Sequence, residues 1–320
     1  MNHFFLNLVN RDLERVETLL REHPPEQHEA ISVALDHLVN GGGKRIRPAL
    51  VLLSAHLCGA DVEKSVFAAA AVELLHTATL IHDDLIDGAI MRRGTETLNA
   101  NWPPGATVLT GDYVFARAAY LVSQTENTLL TQRFAETLMV ICNGEVQQMF
   151  DGKRRQTSLP EYERRIYAKT ASLISLSTQA GAILAESGTD ECQSLLTYGE
   201  QLGMAFQIVD DVLDFVADEE TLGKPVGSDL RQGLVTLPVL LFLEMEPDHP
   251  VVLHALEGGS SQAAVDEAVQ TIAHSAAIER ALQAAHEHAD RAKTALRLLP
   301  DSPYRQALSD IVDFTVRRRF

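Results

Sequence analysis

The sequence is poor in cysteine. Cys58, Cys142 and Cys192 are spread over 320 residues with no CxxC pair. That excludes a zinc ribbon, a thioredoxin-type redox motif and a disulfide framework. Three scattered cysteines fit a reducing compartment, where they serve as small core side chains. Aromatics are also scarce, at 6 % with one Trp. No stretch alternates apolar and polar residues long enough to make a strand, and no Asn-Gly or Asp-Gly joins two β-branched runs. The longest apolar runs, residues 66–75 and 50–55, fall far short of a membrane span. The first residues lack the basic segment of a secretory signal. A soluble, cytoplasmic protein without a transmembrane segment is the expectation. Positive charge is in short supply, with 27 Lys and Arg against 44 Asp and Glu, a net charge of −17. Such a chain repels polyphosphate, so nucleic acid is excluded as a partner. A small anionic ligand would need local cations or metal ions to overcome that field.

What is present is helical periodicity. Leu6, Val9, Leu13, Val16 and Leu20 recur at spacings of three and four within residues 5–21. Similar patterns predict helices at about 26–39, 62–87, 108–123, 129–150, 171–187, 191–215, 238–244, 262–274, 278–298 and 303–319. Pro48 sits where a new helix can start, and Gly88 where the 62–87 helix should stop. Ser158 followed by Glu161 has the form of a helix N-terminus. The expectation is an all-α chain of ten or more helices. No Ser/Gly/Pro linker divides it, so residues 1–320 read as a single domain.

One internal echo carries chemistry. Asp83-Asp84-Leu85-Ile86-Asp87 and Asp210-Asp211-Val212-Leu213-Asp214 are both DDxxD, each near the end of an apolar helix. Twenty aspartates in 320 residues give roughly 0.08 chance matches, and roughly 0.003 for two. The first and third Asp lie at i and i+4, so each cluster crowds carboxylates onto one helix face. Like charges near a helix C-terminus are costly. A hard divalent cation resolves the conflict, and Mg²⁺ shares its coordination between a few carboxylates, waters and phosphate oxygens. Cations lie nearby. Gly41-Gly42-Gly43-Lys44-Arg45-Ile46-Arg47-Pro48 joins a flexible loop to a helix start. Arg92 and Arg93 follow the first cluster, His76 precedes it by two turns, and Lys169, Thr170 and Lys224 flank the second. This inventory suits two diphosphates, one held through metal and one by Lys and Arg directly.

These residues resemble the trans-isoprenyl diphosphate synthase (polyprenyl synthetase) family. The likeness spans most of the chain: GGGKRIRP at 41–48, ELLHTATLIHDDLIDGAIMRRG at 73–94, GDYVFARA at 111–118, GEVQQ at 144–148, YAKTASL at 167–173, LGMAFQIVDDVLDF at 202–215 and LGKPVGSDLRQGLVTLP at 222–238. The tail, ALRLLPDSPYRQAL at 295–308, is similar to long-chain, octaprenyl-type members. The resemblance implies a helical homodimer with a deep central cavity, condensing isopentenyl diphosphate head-to-tail with an allylic diphosphate. Mg²⁺ would be held by Asp83, Asp84 and Asp87 and, from the opposite wall, by Asp210, Asp211 and Asp214, with roughly two to three ions per site and Mn²⁺ a substitute. Arg92 would touch the allylic diphosphate. Lys44, Arg47, His76 and Arg93 would hold isopentenyl diphosphate. Lys169, Thr170, Gln207 and Lys224 would steady the allylic diphosphate and the developing cation. The product would grow along the helix before the first cluster, with Leu75, Ala78 and Thr79 setting its length. A small residue at Ala78 leaves that path open at about 7.5 Å below Asp83. The expected product is long, roughly thirty to fifty carbons, with contact to a membrane surface for its release. Geranylgeranyl or farnesyl diphosphate synthesis is the alternative. A class I terpene cyclase is more remote, because the second cluster keeps three Asp. One departure is Leu234, where the family often has Lys; weaker allylic-diphosphate binding is expected.

Overall fold

The computed structural model describes residues 4–22, 24, 27–40, 44–92, 94–151, 157–217, 226–257 and 261–318. It is all-α apart from one short hairpin. After a 3₁₀ turn at Phe4–Val9 the helices are α1 (Asn10–Arg21), α2 (Glu29–Asn40), α3 (Ile46–Cys58), α4 (Val62–Ile86), α5 (Leu98–Asn101), α6 (Pro104–Ser123), α7 (Thr128–Asp151), α8 (Leu159–Ile166), α9 (Ser172–Leu184) and α10 (Thr189–Val216). There follow α11 (Ser228–Arg231), α12 (Leu237–Met245), α13 (Pro250–Ala255), α14 (Gln262–Ala273), α15 (Ala276–Leu296) and α16 (Pro303–Arg317). A π-helical turn, Tyr167–Ala171, joins α8 to α9.

The ends follow local chemistry. The Asp61 carboxylate accepts the Lys64 N–H at 2.9 Å and starts α4, and Gly88, with φ of 64°, ends it. The Glu161 carboxylate reaches back to the Ser158 N–H at 2.7 Å, as the sequence pattern predicts for α8. Short elements differ from the expectations. Met91–Arg92 and Thr95–Glu96 form an antiparallel ladder, too short to leave an alternation in the sequence. Pro250–Ala255 is a helix too short for its periodicity to show.

The chain divides into two compact units: Met1–Leu138 with Leu173–Leu196 and Leu296–Asp310, and Met139–Ser172 with Thr197–Ala295 and Ile311–Phe320. In the first, α4 packs on α6, α3 and α1. Its core includes Leu50, Leu52, Leu53, Ala70, Leu74 and Leu75, all without accessible surface. Burying each leucine contributes about 1.5–3 kcal/mol, which fixes α4 firmly. Among the described residues α4 is long and apolar enough to cross a membrane, but most of it is buried against these neighbours. In the second unit Ile208, Val212, Phe215, Leu237, Phe242 and Ile272 share one core. That core anchors the end of α10 that carries the second aspartate cluster.

Candidate active site

In the first unit the cations divide by burial. Residues 41–43 lie outside the described residues. Lys44 is exposed and Arg47 is half-buried in the first turn of α3. Arg45, between them, turns inward from a left-handed backbone with φ of 48°. Its guanidinium donates to Glu73 at 2.8 Å and to the Val39 carbonyl at 3.0 Å, and pairs with Glu17. Burial opposes its charge, but the two carboxylates outweigh that and hold its pKa above the ordinary arginine value. Arg45 thus pins the loop. Sequence spacing alone did not single it out.

Asp83, Asp84 and Asp87 close α4, with the Asp87 N–H donating to the Asp83 carbonyl at 2.8 Å. They do not share one environment. Asp84 is buried, and Arg92, carried by the short hairpin, donates Nε at 2.8 Å and Nη2 at 2.7 Å to its Oδ1. Asp83 is half-buried and Asp87 exposed. Asp84 anchors Arg92, while Asp83 and Asp87 lie at i and i+4 on one helix face. His76 is half-buried two turns back. Ala78 and Leu75 have no accessible surface. Thr79, the next residue, is half-buried, and its hydroxyl donates to the His76 carbonyl at 2.7 Å. Arg93, expected beside isopentenyl diphosphate, lies outside the described residues.

In the second unit the π turn carries Lys169 and Thr170. It is held close between α7 and α10. A Cβ added at Gly144 would come within 2.5 Å of the Ala168 Cβ, and one at Gly203 within 2.5 Å of the Ala171 Cα. These approaches explain why GEVQQ and LGMAFQ carry glycine. Lys169 Nζ lies 3.5 Å from Glu145. The Thr170 hydroxyl donates to Gln207 Oε1 at 2.6 Å, and Gln207 Nε2 donates to Asp211 Oδ1 at 2.9 Å. The Tyr162 hydroxyl donates to Asp211 Oδ2 at 2.7 Å. Asp214 Oδ1 accepts from the Ser228 hydroxyl and its Oδ2 from the Asp229 N–H, each at 3.0 Å. Both oxygens of Asp211 and of Asp214 are thus engaged, and both residues are buried. Asp210 is the more accessible member, and Arg318 donates to it at 3.1 Å from over the Phe206 ring. Leu234 is half-buried, its N–H donating to the Asp229 carbonyl at 2.9 Å. Lys224 lies outside the described residues.

Burial, then Asp229, pushes the Asp211 carboxyl up to about 7, against the opposing pull of the Gln207 and Tyr162 hydrogen bonds. Burial, then Asp211, pushes the Tyr162 phenol well up, so its hydroxyl stays a donor. Among the described residues no three His, Cys, Asp or Glu side chains form a closed metal cage. Mg²⁺ does not require one, because it is held by one or two carboxylates with waters and substrate phosphates completing the shell. The accessible hard oxygens of Asp83, Asp87 and Asp210 fit that chemistry. A cavity of about 560 Å³ in the second unit, lined by Asn143, Gln148, Tyr167, Met204 and His288 among others, touches none of the six aspartates.

Comparison with known proteins agrees with this geometry. The model of the Polyprenyl synthetase family matches residues 28–272. An octaprenyl diphosphate synthase of Haemophilus influenzae is 40% identical over 286 residues, covering 89% of this chain and 87% of that protein. A polyprenyl synthase of Caulobacter crescentus, crystallised with calcium and isoprenyl diphosphate, superposes with a TM-score of 0.92 at 36% identity, over 99% of this chain and 97% of that one. A decaprenyl diphosphate synthase of Rhodobacter capsulatus gives 0.91 at 36% identity, over 98% and 97%.

Proposed function

The chain belongs to the polyprenyl synthetase family, and on that premise we propose that it condenses isopentenyl diphosphate with an allylic diphosphate into an all-trans polyprenyl diphosphate of roughly thirty to fifty carbons. The observation that carries this reading is the division of the first cluster. Asp83 and Asp87 remain on an accessible helix end while Asp84 holds Arg92.

The roles then separate. Lys44, Arg47 and His76, joined by Arg93, bind isopentenyl diphosphate through charge and hydrogen bonds. Arg92 has five N–H donors, of which Asp84 takes two, and the remainder would serve the allylic diphosphate. Asp83, Asp87 and Asp210 would hold roughly two to three Mg²⁺ ions, or Mn²⁺ in their place, which supply Lewis-acid stabilisation of the departing diphosphate. Lys169, Thr170, Gln207 and Lys224 steady the charge that develops as the allylic C–O bond breaks. The isopentenyl double bond attacks the allylic carbon, a C–C bond forms, and a proton passes to the released diphosphate. Leu234 leaves one cationic contact fewer, so the allylic KM is raised; Leu234→Lys should lower it.

Length follows from α4. From Val62 to Asp83 is 21 residues, or about 32 Å at 1.5 Å per residue. An extended isoprene unit of four bonds, roughly 1.5 Å each, spans about 5 Å, so the length of α4 matches about six units. That favours a long product over farnesyl or geranylgeranyl diphosphate. The family match crosses both compact units, so we read residues 1–320 as one polyprenyl synthetase domain. Met139, Cys142, Val146, Met149 and Phe150 form an exposed stripe on α7, Phe150 being 83% exposed, which supports a homodimer through that face. Three free cysteines support a reducing, cytoplasmic setting, and a product of this length favours release at a membrane surface.

The test is an incubation of an allylic diphosphate and Mg²⁺ with and without isopentenyl diphosphate. Chain elongation only when isopentenyl diphosphate is present supports the proposal. Cyclic hydrocarbon formed from the allylic diphosphate alone overturns it in favour of a cyclase.

A further inference from the structure

Tyr162 belongs to none of the motifs above, yet its hydroxyl reaches the second aspartate cluster from a different helix. It lies on α8, is 1% exposed, and donates to Asp211 Oδ2 at 2.7 Å. The other oxygen, Oδ1, accepts from Gln207 Nε2 at 2.9 Å, and Gln207 Oε1 accepts from Thr170 at 2.6 Å. The donors converge on Asp211, Thr170 donating to Gln207 and Gln207 to the carboxylate from one side, and Tyr162 from the other. With Tyr162 and Gln207 both donating, Asp211 is held between two partners. Its Oδ1 then fixes the Gln207 amide with nitrogen toward the carboxylate and oxygen toward Thr170. A flipped amide would set its oxygen against the carboxylate and its NH₂ group against the hydroxyl that now donates to it.

Tyr162 is itself held in place. The Ser158–Glu161 hydrogen bond starts α8 one turn earlier. The Arg165 guanidinium lies 5.6 Å from the ring centroid, tied by a 2.5 Å hydrogen bond to the Val235 carbonyl. Buried hydrogen-bond series of this kind act as units, because each member sets the orientation of the next.

We propose that Tyr162 is a positioning residue that, through Asp211, orients Gln207 and Thr170 toward the departing diphosphate. The inference rests on the prenyl-transfer reading, in which those two side chains meet the developing charge. It assigns Asp211 a structural place in the site rather than a metal-ligand one.

The experiment is Tyr162→Phe in the full-length protein, which keeps the ring and removes the hydroxyl. The expected result is a kcat lowered about tenfold, with the isopentenyl diphosphate KM and the Mg²⁺ concentration for half-activity within about twofold of wild type. A Gln207→Leu variant and the Tyr162→Phe/Gln207→Leu double variant complete a cycle. The double variant should be no slower than Gln207→Leu alone, because the orienting effect is already lost. Unchanged kcat in a folded Tyr162→Phe variant overturns the inference, and so do effects that simply multiply in the double variant. If the wild-type protein makes no elongated product, the prenyl-transfer reading fails first; an active wild type with an indifferent Tyr162→Phe removes only the positioning role.

Discussion

Replacing Ala78 by Phe tests the use of α4 as a ruler. Ala78 is five residues before Asp83, so its side chain lies about 7.5 Å further along the helix. An isoprene unit occupies about 5 Å, so a ring at this level stops growth about one to two units below Asp83, far short of the wild-type length. Ala78 has no accessible surface, and the ring must make its own room. Overpacking of that kind costs about 1–3 kcal/mol, which a chain of this size should survive with a melting point lowered by several degrees. The graded series Ala78→Val, Ala78→Leu and Ala78→Phe separates the two effects. Products are hydrolysed and sized by mass spectrometry, and circular dichroism confirms folding. Progressive shortening across the series is expected. Folded variants that all keep the wild-type length would refute the placement of the growing chain along this face.

Further outcomes follow from individual contacts. Arg45→Met leaves Glu73 buried without its cation and should lower unfolding stability by about 3 kcal/mol in urea titration; an unchanged midpoint contradicts the anchoring role. Gly203→Ala places a methyl group against the Ala171 backbone, so stability should fall by about 1–3 kcal/mol together with activity, and full activity would show that the π turn has room to move. His288 is held down to about 4, by burial first and then by Arg291. A depressed histidine pKa means the unfolded chain takes the proton first, so stability is lost as pH falls from about 6.5 toward 4. Allowing for partial exposure, the loss is about 1–2 kcal/mol, and His288→Gln should remove that share of the acid sensitivity; equal sensitivity in both proteins refutes it.

The helices and the two aspartate clusters were legible because each has a local cause. Apolar residues at spacings of three and four define a helix face, and a repeated DDxxD is electrostatically unreasonable without a cation. Which member of each cluster is buried and which is accessible was not legible. Asp84 and Asp83 are chemically identical in the sequence; the hairpin that delivers Arg92 decides between them, and its two-residue strands leave no pattern. Lys44, Arg45 and Arg47 likewise carry the same charge. Arg45 turns inward because Glu17 and Glu73, each 28 residues away, wait there. Tyr162 is 49 residues from Asp211 and lies in no acidic or basic motif, so only the folded chain brings them together. Ala78 has no accessible surface, and its burial depends on neighbours that its own small side chain does not reveal.

The most direct measurement is the chain length made from isopentenyl diphosphate, Mg²⁺ and a farnesyl diphosphate primer, read by mass spectrometry after hydrolysis. A predominant polyprenol of roughly thirty to fifty carbons, abolished by Asp83→Ala, is the predicted result. A product that stops at geranylgeranyl length, or elongation that persists in Asp83→Ala, would contradict the account.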